Sequence, residues 1–251
     1  MIKKLRSIMG RSPLFSFNLV NRDRWVAQQA AALPAGSLIL DVGAGSCPYR
    51  DLFAHCEYRA QDFSGLQPVQ LRHGGYGLID YVCDATAIPV EDRSFDAVLC
   101  TEVLEHVPDP LAVARELSRI LKPGGMLLLT APLGSGIHQE PHHYYGGYTP
   151  YWYRHFLTQL DFEHIDIEAN GGSLKFFGQE SLRFLSLSRP FRAISFLPSL
   201  IWLPIWLLLM PILGGLIPVS AYLLDRFDRE QRFTVGYHVT ACKKAERGGL
   251  S

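Results

Sequence analysis

The feature that most constrains this chain is an apolar run that leads straight into a glycine turn, L-I-L-D-V-G-A-G-S-C at residues 38–47. The apolar residues predict a strand buried on both faces, as in a parallel sheet. Gly43 and Gly45 lack the β-carbons that would hold a ligand away from the peptide N–H groups. Asp41 adds a carboxylate beside the turn. The pattern predicts an open α/β sheet with a ligand site at the carboxyl end of this strand.

The turn departs from the dinucleotide-binding fingerprint, which has a third glycine three residues after the second. Here Pro48 stands at that place, after Cys47. The departure disfavours a pyrophosphate held at a helix N-terminus, and with it a nicotinamide-dependent dehydrogenase. A ligand that carries positive charge near Asp41 fits this turn better.

Two further predicted strands end in acidic residues, Y-R-A-Q-D at Asp62 and Y-V-C-D at Asp84. Asp62 follows Gly43 by nineteen residues, where a Rossmann-like sheet presents a carboxylate to ribose hydroxyls. Asp84, followed by Ala85, suits an adenine edge, because a carboxylate accepts from an exocyclic amine while a backbone N–H meets a ring nitrogen. Each aspartate alone is more typical of a helix cap or a loop turn. Three in succession, counting Asp41, favour a ligand-binding edge of the sheet.

The chain carries a series of motifs in one order: L-D-V-G-A-G-S, D-F-S-G, C-D-A-T-A-I-P-V, S-F-D-A-V-L-C-T-E-V-L-E-H-V-P-D-P and L-K-P-G-G-M-L-L-L-T-A-P. This series resembles class I S-adenosylmethionine-dependent methyltransferases, of the methyltransferase type 11 kind associated with surface glycan and lipid biosynthesis. The resemblance covers residues 38–170 and a short return at 233–243. It implies a Rossmann-like α/β fold, with a seven-stranded sheet, helices on both faces, and an apolar helical insertion before the last strand.

The resemblance also implies S-adenosylmethionine as the cofactor and a role for each motif. In that family the residues matching Gly43 and Gly45 approach the methionine part, and the residue matching Asp62 holds the ribose. Those matching Asp84 and Ala85 hold the adenine. Thr101 would lie near the methionine carboxylate and amine. The expected cofactor set is therefore Asp41, Gly43, Gly45, Asp62, Asp84, Ala85 and Thr101.

A candidate acceptor side follows the fifth predicted strand, in the segment H-Q-E-P-H-H-Y-Y-G-G-Y-T-P at residues 138–150. It resembles the P-H-D-Y-Y-R-Y-T-P stretch of methyltransferases of surface glycan and lipid pathways. A hydroxyl acceptor must lose a proton, and an imidazole is suited to take it. We expect His143 or His142 to be this base, with His106 as a further candidate. Tyr144 and Tyr145 would shape the acceptor pocket.

A divalent metal is an alternative way to activate the acceptor. Glu102, Glu105 and His106 have the spacing i, i+3 and i+4, which places them on one face of a helical turn. The E-x-x-E-H pattern looks like the metal site of some O-methyltransferases, where a further histidine completes the ligand set. A bound cation would lower the pKa of an acceptor hydroxyl. The other interpretation, a solvated turn with a packed histidine, is favoured here, so we expect no metal.

A second prominent feature is a stretch of thirty-two residues without a charge, at residues 193–224. Its length allows a transmembrane helix, which needs about 20 apolar residues. Proline and glycine interrupt it, however, and each half reaches only about 18–20 Å of a bilayer core about 30 Å thick. We therefore predict a hairpin or a pair of helices in the membrane plane. The interrupting residues are Pro198, Pro204, Pro211, Pro218 and the pair Gly214 and Gly215.

The order of the predicted strands restricts how this stretch meets a membrane. The segment F-T-V-G-Y-H-V-T-A-C-K at residues 233–243 predicts a seventh strand that inserts beside the sixth, which ends at Ala169. The chain must then leave the core and return on the same side, so a single crossing is excluded. Trp202, Trp206 and Tyr222 suit the headgroup level of a surface-bound segment. A subunit interface, and hence a homodimer, is the alternative.

Composition adds further limits. The formal net charge is +0, so nothing global favours nucleic acid as a partner. Residues 1–24 carry six basic side chains against one acid, which predicts a basic arm that is either a solvated tail or a contact for anionic lipid. The chain opens with no apolar leader, and its cysteines show no paired spacing, which is typical of a reducing compartment. We expect a cytoplasmic protein, peripheral or monotopic at the inner face of the membrane.

These observations predict a methyltransferase, with O-methyl transfer favoured, that acts at the membrane on a lipophilic or lipid-linked acceptor. A polyprenyl-linked sugar or a quinone precursor would each explain the apolar stretch. The alternatives are a methyltransferase for a soluble small molecule, with the stretch as a dimer interface, and a non-catalytic cofactor-binding scaffold. The predicted domains are a basic arm with a capping helix (1–36), the cofactor-binding core (37–170), the apolar membrane-associated insertion (171–232) and the last strand with a tail (233–251).

Overall fold

The structure is a computed structural model that describes residues 12–192 and 194–245. Residues 1–11 of the predicted basic arm, with four of its six basic side chains, lie outside the described residues. Two compact units are present: Arg22–Glu168 joins Gly236–Ser251 in one, which we call the core unit, and Met1–Asn21 joins Ala169–Val235 in the other, which we call the helical unit.

A seven-stranded sheet forms the centre of the core unit, and it confirms the predicted fold class. The strand order is β3-β2-β1-β4-β5-β7-β6, with β7 beside β6 as predicted and next to β5 on its other side. The strands are β1 (Leu38–Val42), β2 (Glu57–Asp62), β3 (Tyr81–Val82), β4 (Phe95–Thr101), β5 (Leu121–Pro132), β6 (Phe162–Ala169) and β7 (Gly236–Lys243).

The pairing of the strands explains where a ligand site can form. β1 pairs in parallel with β2 on one side and with β4 on the other, and β5 pairs antiparallel with β7. The strands β2 and β3 lie on one side of β1, and β4 and β5 lie on the other, so the strand order switches between β1 and β4. Open α/β sheets bind ligands at the carboxyl ends of the strands at such a switch point. Ile39, Leu40 and Val42 are fully buried, which accounts for the unbroken apolar run of β1.

Three helices accompany this sheet: α1 (Phe17–Ala32), α2 (Pro110–Ile120) and α3 (Pro150–Gln159). The Asp109 carboxylate accepts from the Ala112 N–H at 2.9 Å and caps α2, as its position before Pro110 predicts. Helix α1 lies within residues 1–36, where the capping helix is predicted.

The helical unit contains α4 (Ser173–Leu187), α5 (Phe196–Pro211), a π-helical turn (Ile212–Leu216) and α6 (Ile217–Leu224). From α5 onward these elements form one continuous helix, Phe196–Phe227, of 32 residues with a mean hydropathy of 2.3. By length and composition this helix could cross a membrane, and none of its most apolar window is buried. The predicted hairpin within residues 193–224 is therefore wrong.

A π-helical turn immediately precedes Pro218 and accommodates this proline within the long helix. Within it the Ile217 N–H bonds the Ile212 carbonyl, one residue further back than in an α-helix. The next bond in this pattern would join Pro218 to the Leu213 carbonyl, but proline has no N–H. The Ser181 hydroxyl of α4 lies 2.8 Å from that carbonyl and 2.7 Å from the Gly178 carbonyl, so the two carbonyls share its one hydrogen.

The hairpin is instead made by α4 and the long helix, which run antiparallel. Trp202 and Trp206 donate their indole N–H groups to the Ser188 and Leu185 carbonyls at the end of α4, at 2.7 and 3.2 Å. At the other end, the buried Asp225 carboxylate accepts from the Gly172 N–H at 3.0 Å. The long helix thus supplies side-chain partners at both termini of α4.

Candidate functional site

The core unit holds a cavity of about 410 Å³ at the carboxyl ends of the parallel strands. Its volume lies in the range of small-molecule sites. The structure brings to its wall every residue of the expected cofactor set: Asp41, Gly43, Gly45, Asp62, Asp84, Ala85 and Thr101. Their individual roles remain predictions.

The turn after β1 requires glycine for two reasons. Gly43 and Gly45 have φ values of +69° and +52°, a region that side chains with a β-carbon rarely adopt. A β-carbon on Gly43 would stand 2.4 Å from Cγ2 of Val103, whereas one on Gly45 would meet only Cδ2 of Leu71, at 3.4 Å. The requirement for glycine is therefore stricter at Gly43 than at Gly45.

Side chains from the end of β2 hold this turn in place. The Gly45 N–H donates to Oδ2 of the buried Asp62 at 2.9 Å, and the Gly43 N–H donates to Oε1 of Gln61 at 3.3 Å. Gln61 also donates to the Cys83 carbonyl at 2.6 Å and so ties the turn to the end of β3. Sequence reasoning missed Gln61, although a polar residue at the end of a buried strand is a usable signal.

Asp84 combines the two interpretations that the sequence left open. Its Oδ1 accepts from the N–H and the hydroxyl of Thr86 at 2.8 and 2.7 Å, which is the local turn expected of an aspartate in a loop. The residue also lines the cavity beside Ala85. A turn-forming carboxylate keeps free lone pairs, so the two uses are compatible.

Asp41 is the least satisfied acid of the cavity. Tyr58 donates its hydroxyl to Oδ2 at 2.5 Å, while Oδ1 is buried and has no hydrogen-bond partner among the described residues. Burial raises the pKa of Asp41 to about 7, against the hydrogen bond from Tyr58, which lowers it. A positively charged ligand in the cavity would favour the ionised form of this carboxyl group.

Arg22 is a second residue of the site that the sequence did not single out. Its Nη1 lies 3.1 Å from Oε2 of Glu102, and its buried Nε has no partner among the residues that the structure describes. Glu102 also accepts from the Thr130 hydroxyl at 2.9 Å. Arg22 therefore offers the cavity an unused donor for a ligand carboxylate.

The three candidate bases occupy different places. His106 and His142 line the cavity, and the His142 ring packs edge-on against Phe63, with ring centroids 5.2 Å apart. His143 is not among the lining residues; its ring lies 5.6 Å from that of His106 and 4.7 Å from that of His138. Burial lowers the pKa of His106 to about 4, so its imidazole is neutral near pH 7.

The aromatic residues of the same segment also separate. Tyr144 lines the cavity, whereas Tyr145 donates its hydroxyl to the Pro108 carbonyl at 2.9 Å and is not among the lining residues. Of the two, Tyr144 is the one placed to contact an acceptor.

The three residues of the E-x-x-E-H motif do not gather around one point. The Glu102 carboxylate is engaged by Arg22 and Thr130. The Glu105 side chain is buried, with both oxygens unpartnered among the described residues and Oε1 3.7 Å from Nε2 of His106. Burial and the charge of Glu102 hold the pKa of Glu105 well above its ordinary value.

The strand order and the cavity at the carboxyl ends of the strands define a class I S-adenosylmethionine-dependent methyltransferase fold, as the sequence predicted. Residues 40–129 match the model of the methyltransferase domain family. This part of the chain is therefore a methyltransferase domain.

Curated methyltransferases are similar to about half of the chain. An uncharacterized methyltransferase of Mycobacterium leprae (strain Br4923) is 31% identical over 137 residues, which are 50% of this chain and 49% of the relative. A ubiquinone biosynthesis O-methyltransferase of Xanthomonas campestris pv. campestris (strain B100) is 38% identical over 129 residues, 48% of this chain and 52% of the relative. The chain thus spans about half the length of the curated relatives it matches.

Solved structures agree on the fold. Phosphoethanolamine N-methyltransferase 2 of Haemonchus contortus, in complex with S-adenosyl-L-methionine, has a TM-score of 0.52 at 17% identity, over 90% of this chain and 53% of that chain. At this identity the likeness concerns the fold alone.

Proposed function

We propose that this protein transfers a methyl group from S-adenosylmethionine to an oxygen of a lipophilic or lipid-linked acceptor, at the inner face of the membrane. The observation that carries the proposal is that one cavity joins all seven positions of the expected cofactor set to His142 and His106.

The residues of the cavity fit the cofactor. When bound, S-adenosylmethionine supplies a methyl carbon on a positively charged sulfur. The unpartnered Oδ1 of Asp41 suits a cationic group, the lone pairs left on Asp62 suit hydroxyls, and the unused Nε of Arg22 suits a carboxylate. Gly43 and Gly45 line the cavity, so a ligand there would lie against the turn.

His142 is the residue we assign to proton removal. When an acceptor hydroxyl becomes an ether, its O–H bond breaks and the proton must go to a base within hydrogen-bond reach. His142 lies on the cavity wall against Phe63, next to Tyr144 in the wall. The Xanthomonas relative is named an O-methyltransferase, which supports a hydroxyl acceptor such as a quinone precursor.

The membrane assignment rests on the helical unit. Fifteen large apolar side chains along Phe196–Phe227 are exposed, Ile201 and Leu208 by 75% and 70%. The partner helix α4 carries Lys175, Glu180 and Arg183, whereas the apolar length of the long helix, residues 196–224, has no charge. Exposed apolar surface of this extent favours contact with lipid or with another protein, and the length and hydropathy of the helix favour lipid.

The activity is tested with labelled S-adenosylmethionine, after calorimetry has established that the protein binds it. We expect label in the lipid fraction of a total cell extract and its loss in His142→Ala, while His155→Ala, an exposed histidine on α3, retains transfer. Label recovered only in water-soluble products would point to a soluble acceptor. Tight cofactor binding without any transfer would favour the scaffold alternative.

Membrane binding is tested by flotation of the full chain with anionic and neutral phospholipid vesicles. We expect Ile201→Glu combined with Leu208→Glu to abolish flotation. Val69→Glu is the control, since Val69 is an equally exposed apolar residue of the core unit, at 86%. If the double variant instead turns a dimer into a soluble and active monomer by light scattering, the apolar surface is a subunit interface.

A further inference from the structure

Three histidines form a cluster in the core unit. His106 ends the short helical turn Leu104–His106 after β4, while His138 and His143 lie in the loop after β5. One ring nitrogen of each lies within 4.8 Å of those of the other two. The ring centroid of His138 lies 4.7 Å from the ring centroids of His106 and of His143.

Backbone contacts determine which ring nitrogens are free to act as ligands. Nδ1 of His106 lies 2.5 Å from the His142 carbonyl, and Nδ1 of His138 lies 2.9 Å from the Gly136 carbonyl. Because a carbonyl only accepts, Nδ1 must carry the hydrogen in both rings, which leaves a lone pair on Nε2 when the ring is neutral. This is the outer contact that orients metal-ligating histidines.

Three buried atoms on residues of this cluster and next to it have no hydrogen-bond partner among the described residues. Nδ1 of His143 is buried without a hydrogen bond among the described residues, and so are both carboxylate oxygens of Glu105. Oε1 of Glu105 lies 3.7 Å from Nε2 of His106, which is the nitrogen left free in that ring. Buried polar groups without partners are rare because they are costly, so their presence on Glu105 and His143, the two residues beside His106 and within the cluster, favours a bound cation here.

We propose that His106, His138 and His143 bind a divalent transition-metal ion, with the Glu105 carboxylate beside it to offset its charge. Three imidazoles are the donor set of zinc-like ions rather than of magnesium or calcium, which prefer oxygen. A metal–nitrogen distance of about 2.0–2.1 Å allows ligand nitrogens at most about 4.2 Å apart. The rings must therefore close slightly, which side-chain rotation in the loop after β5 can provide.

The site differs from the E-x-x-E-H ligand set considered from the sequence. Glu102 takes no part, since its carboxylate is held by Arg22 and Thr130. Three protein ligands leave at least one coordination position open, as in catalytic zinc sites. His106 is also a wall residue of the cavity, so the ion would stand where a water or an acceptor oxygen can reach it.

The test is a cobalt(II) titration of the full, tag-free chain after treatment with a chelator, with zinc counted by equilibrium dialysis. We expect one ion per chain and the visible absorption of a cobalt site with imidazole ligands. His138→Ala and His143→Ala should each weaken binding by at least about 100-fold, beyond the 10–100-fold typical of lost outer contacts. The control His155→Ala should bind as the wild type does.

Cofactor binding by calorimetry separates loss of a ligand from loss of the fold. His138 is exposed, so His138→Ala should bind S-adenosylmethionine normally while it loses cobalt. The proposed site is overturned if no stoichiometric cobalt or zinc binds. It is also overturned if His138→Ala and His143→Ala both bind the metal as tightly as the wild type does. A site lost in Glu102→Gln but kept in His138→Ala overturns it as well. If the metal-free protein still transfers methyl groups, the proposed function holds and does not require this ion.

Discussion

Replacement of Asp41 by Asn tests the electrostatics of the cavity most directly. The side chain is buried, its Oδ2 accepts from Tyr58 at 2.5 Å, and its Oδ1 has no partner among the described residues. Asn keeps the shape and an oxygen for the Tyr58 hydroxyl but removes the ionisable group. Since burial raises the pKa of Asp41 to about 7, the wild type loses stability when this group ionises and the variant does not.

The sign and size of the effect follow from the two proton affinities. The folded protein holds the Asp41 proton more tightly than the unfolded chain, whose pKa is the ordinary 3.8. The stabilisation by the neutral acid is thus complete below about pH 4 and is lost as the pH rises through about 7. At 1.36 kcal/mol per pKa unit, the difference between 3.8 and about 7 corresponds to about 4 kcal/mol. We expect the free energy of unfolding of Asp41→Asn to exceed that of the wild type by about 2–4 kcal/mol near pH 8. The lower end of this range allows for the new amide N–H group, which is costly if it is unpaired.

The assay is urea unfolding of the two proteins from about pH 5 to pH 8, with the free energies compared at each pH. Asp51→Asn, an exposed change of the same chemistry, controls for the loss of one charge. S-adenosylmethionine affinity should move in the opposite direction, because the variant has no carboxylate for a cationic ligand. A stability difference that stays constant from pH 5 to pH 8 would refute the reasoning.

Three further changes test other contacts. Asp62→Ala should weaken S-adenosylmethionine binding by about 1.5–3 kcal/mol in calorimetry and leave a folded protein; unchanged affinity would remove Asp62 from the site. His142→Ala should lower turnover by about 10²–10⁴-fold with cofactor affinity retained, so full activity in the labelled assay would contradict its role as the base. Asp225→Asn should destabilise the helical unit by about 2–4 kcal/mol, because Lys175 and the first N–H groups of α4 lose a buried carboxylate. Hydrogen exchange of α4 measures this last effect, and unaltered protection there would show that the cap contributes nothing.

Local patterns in the sequence were enough to predict the core unit. The apolar run of β1 reports burial on both faces, and the left-handed turn behind it requires Gly43 and Gly45. Asp109 and Pro110 mark the start of α2 because capping depends on near neighbours. The edge that gathers Asp41, Asp62 and Asp84 also follows from sequence, since parallel strands present their carboxyl ends together.

Only the tertiary structure could decide contacts between residues far apart in the chain. The pairing of Arg22 with Glu102 and the bridge from Gln61 to the glycine turn depend on how α1 and β2 pack, which no local pattern encodes. The same holds for His138, whose place beside His106 follows from the path of the loop after β5.

The long helix shows this division most clearly. Its composition predicted an apolar segment, and its prolines predicted breaks. At Pro218 a π-helical turn precedes the proline, and the Ser181 hydroxyl of the neighbouring helix, shared with the Gly178 carbonyl, reaches the carbonyl that Pro218 leaves without a donor; the helix continues. Proline removes a donor locally, but whether the chain then breaks depends on what another segment supplies, and that is a property of the fold.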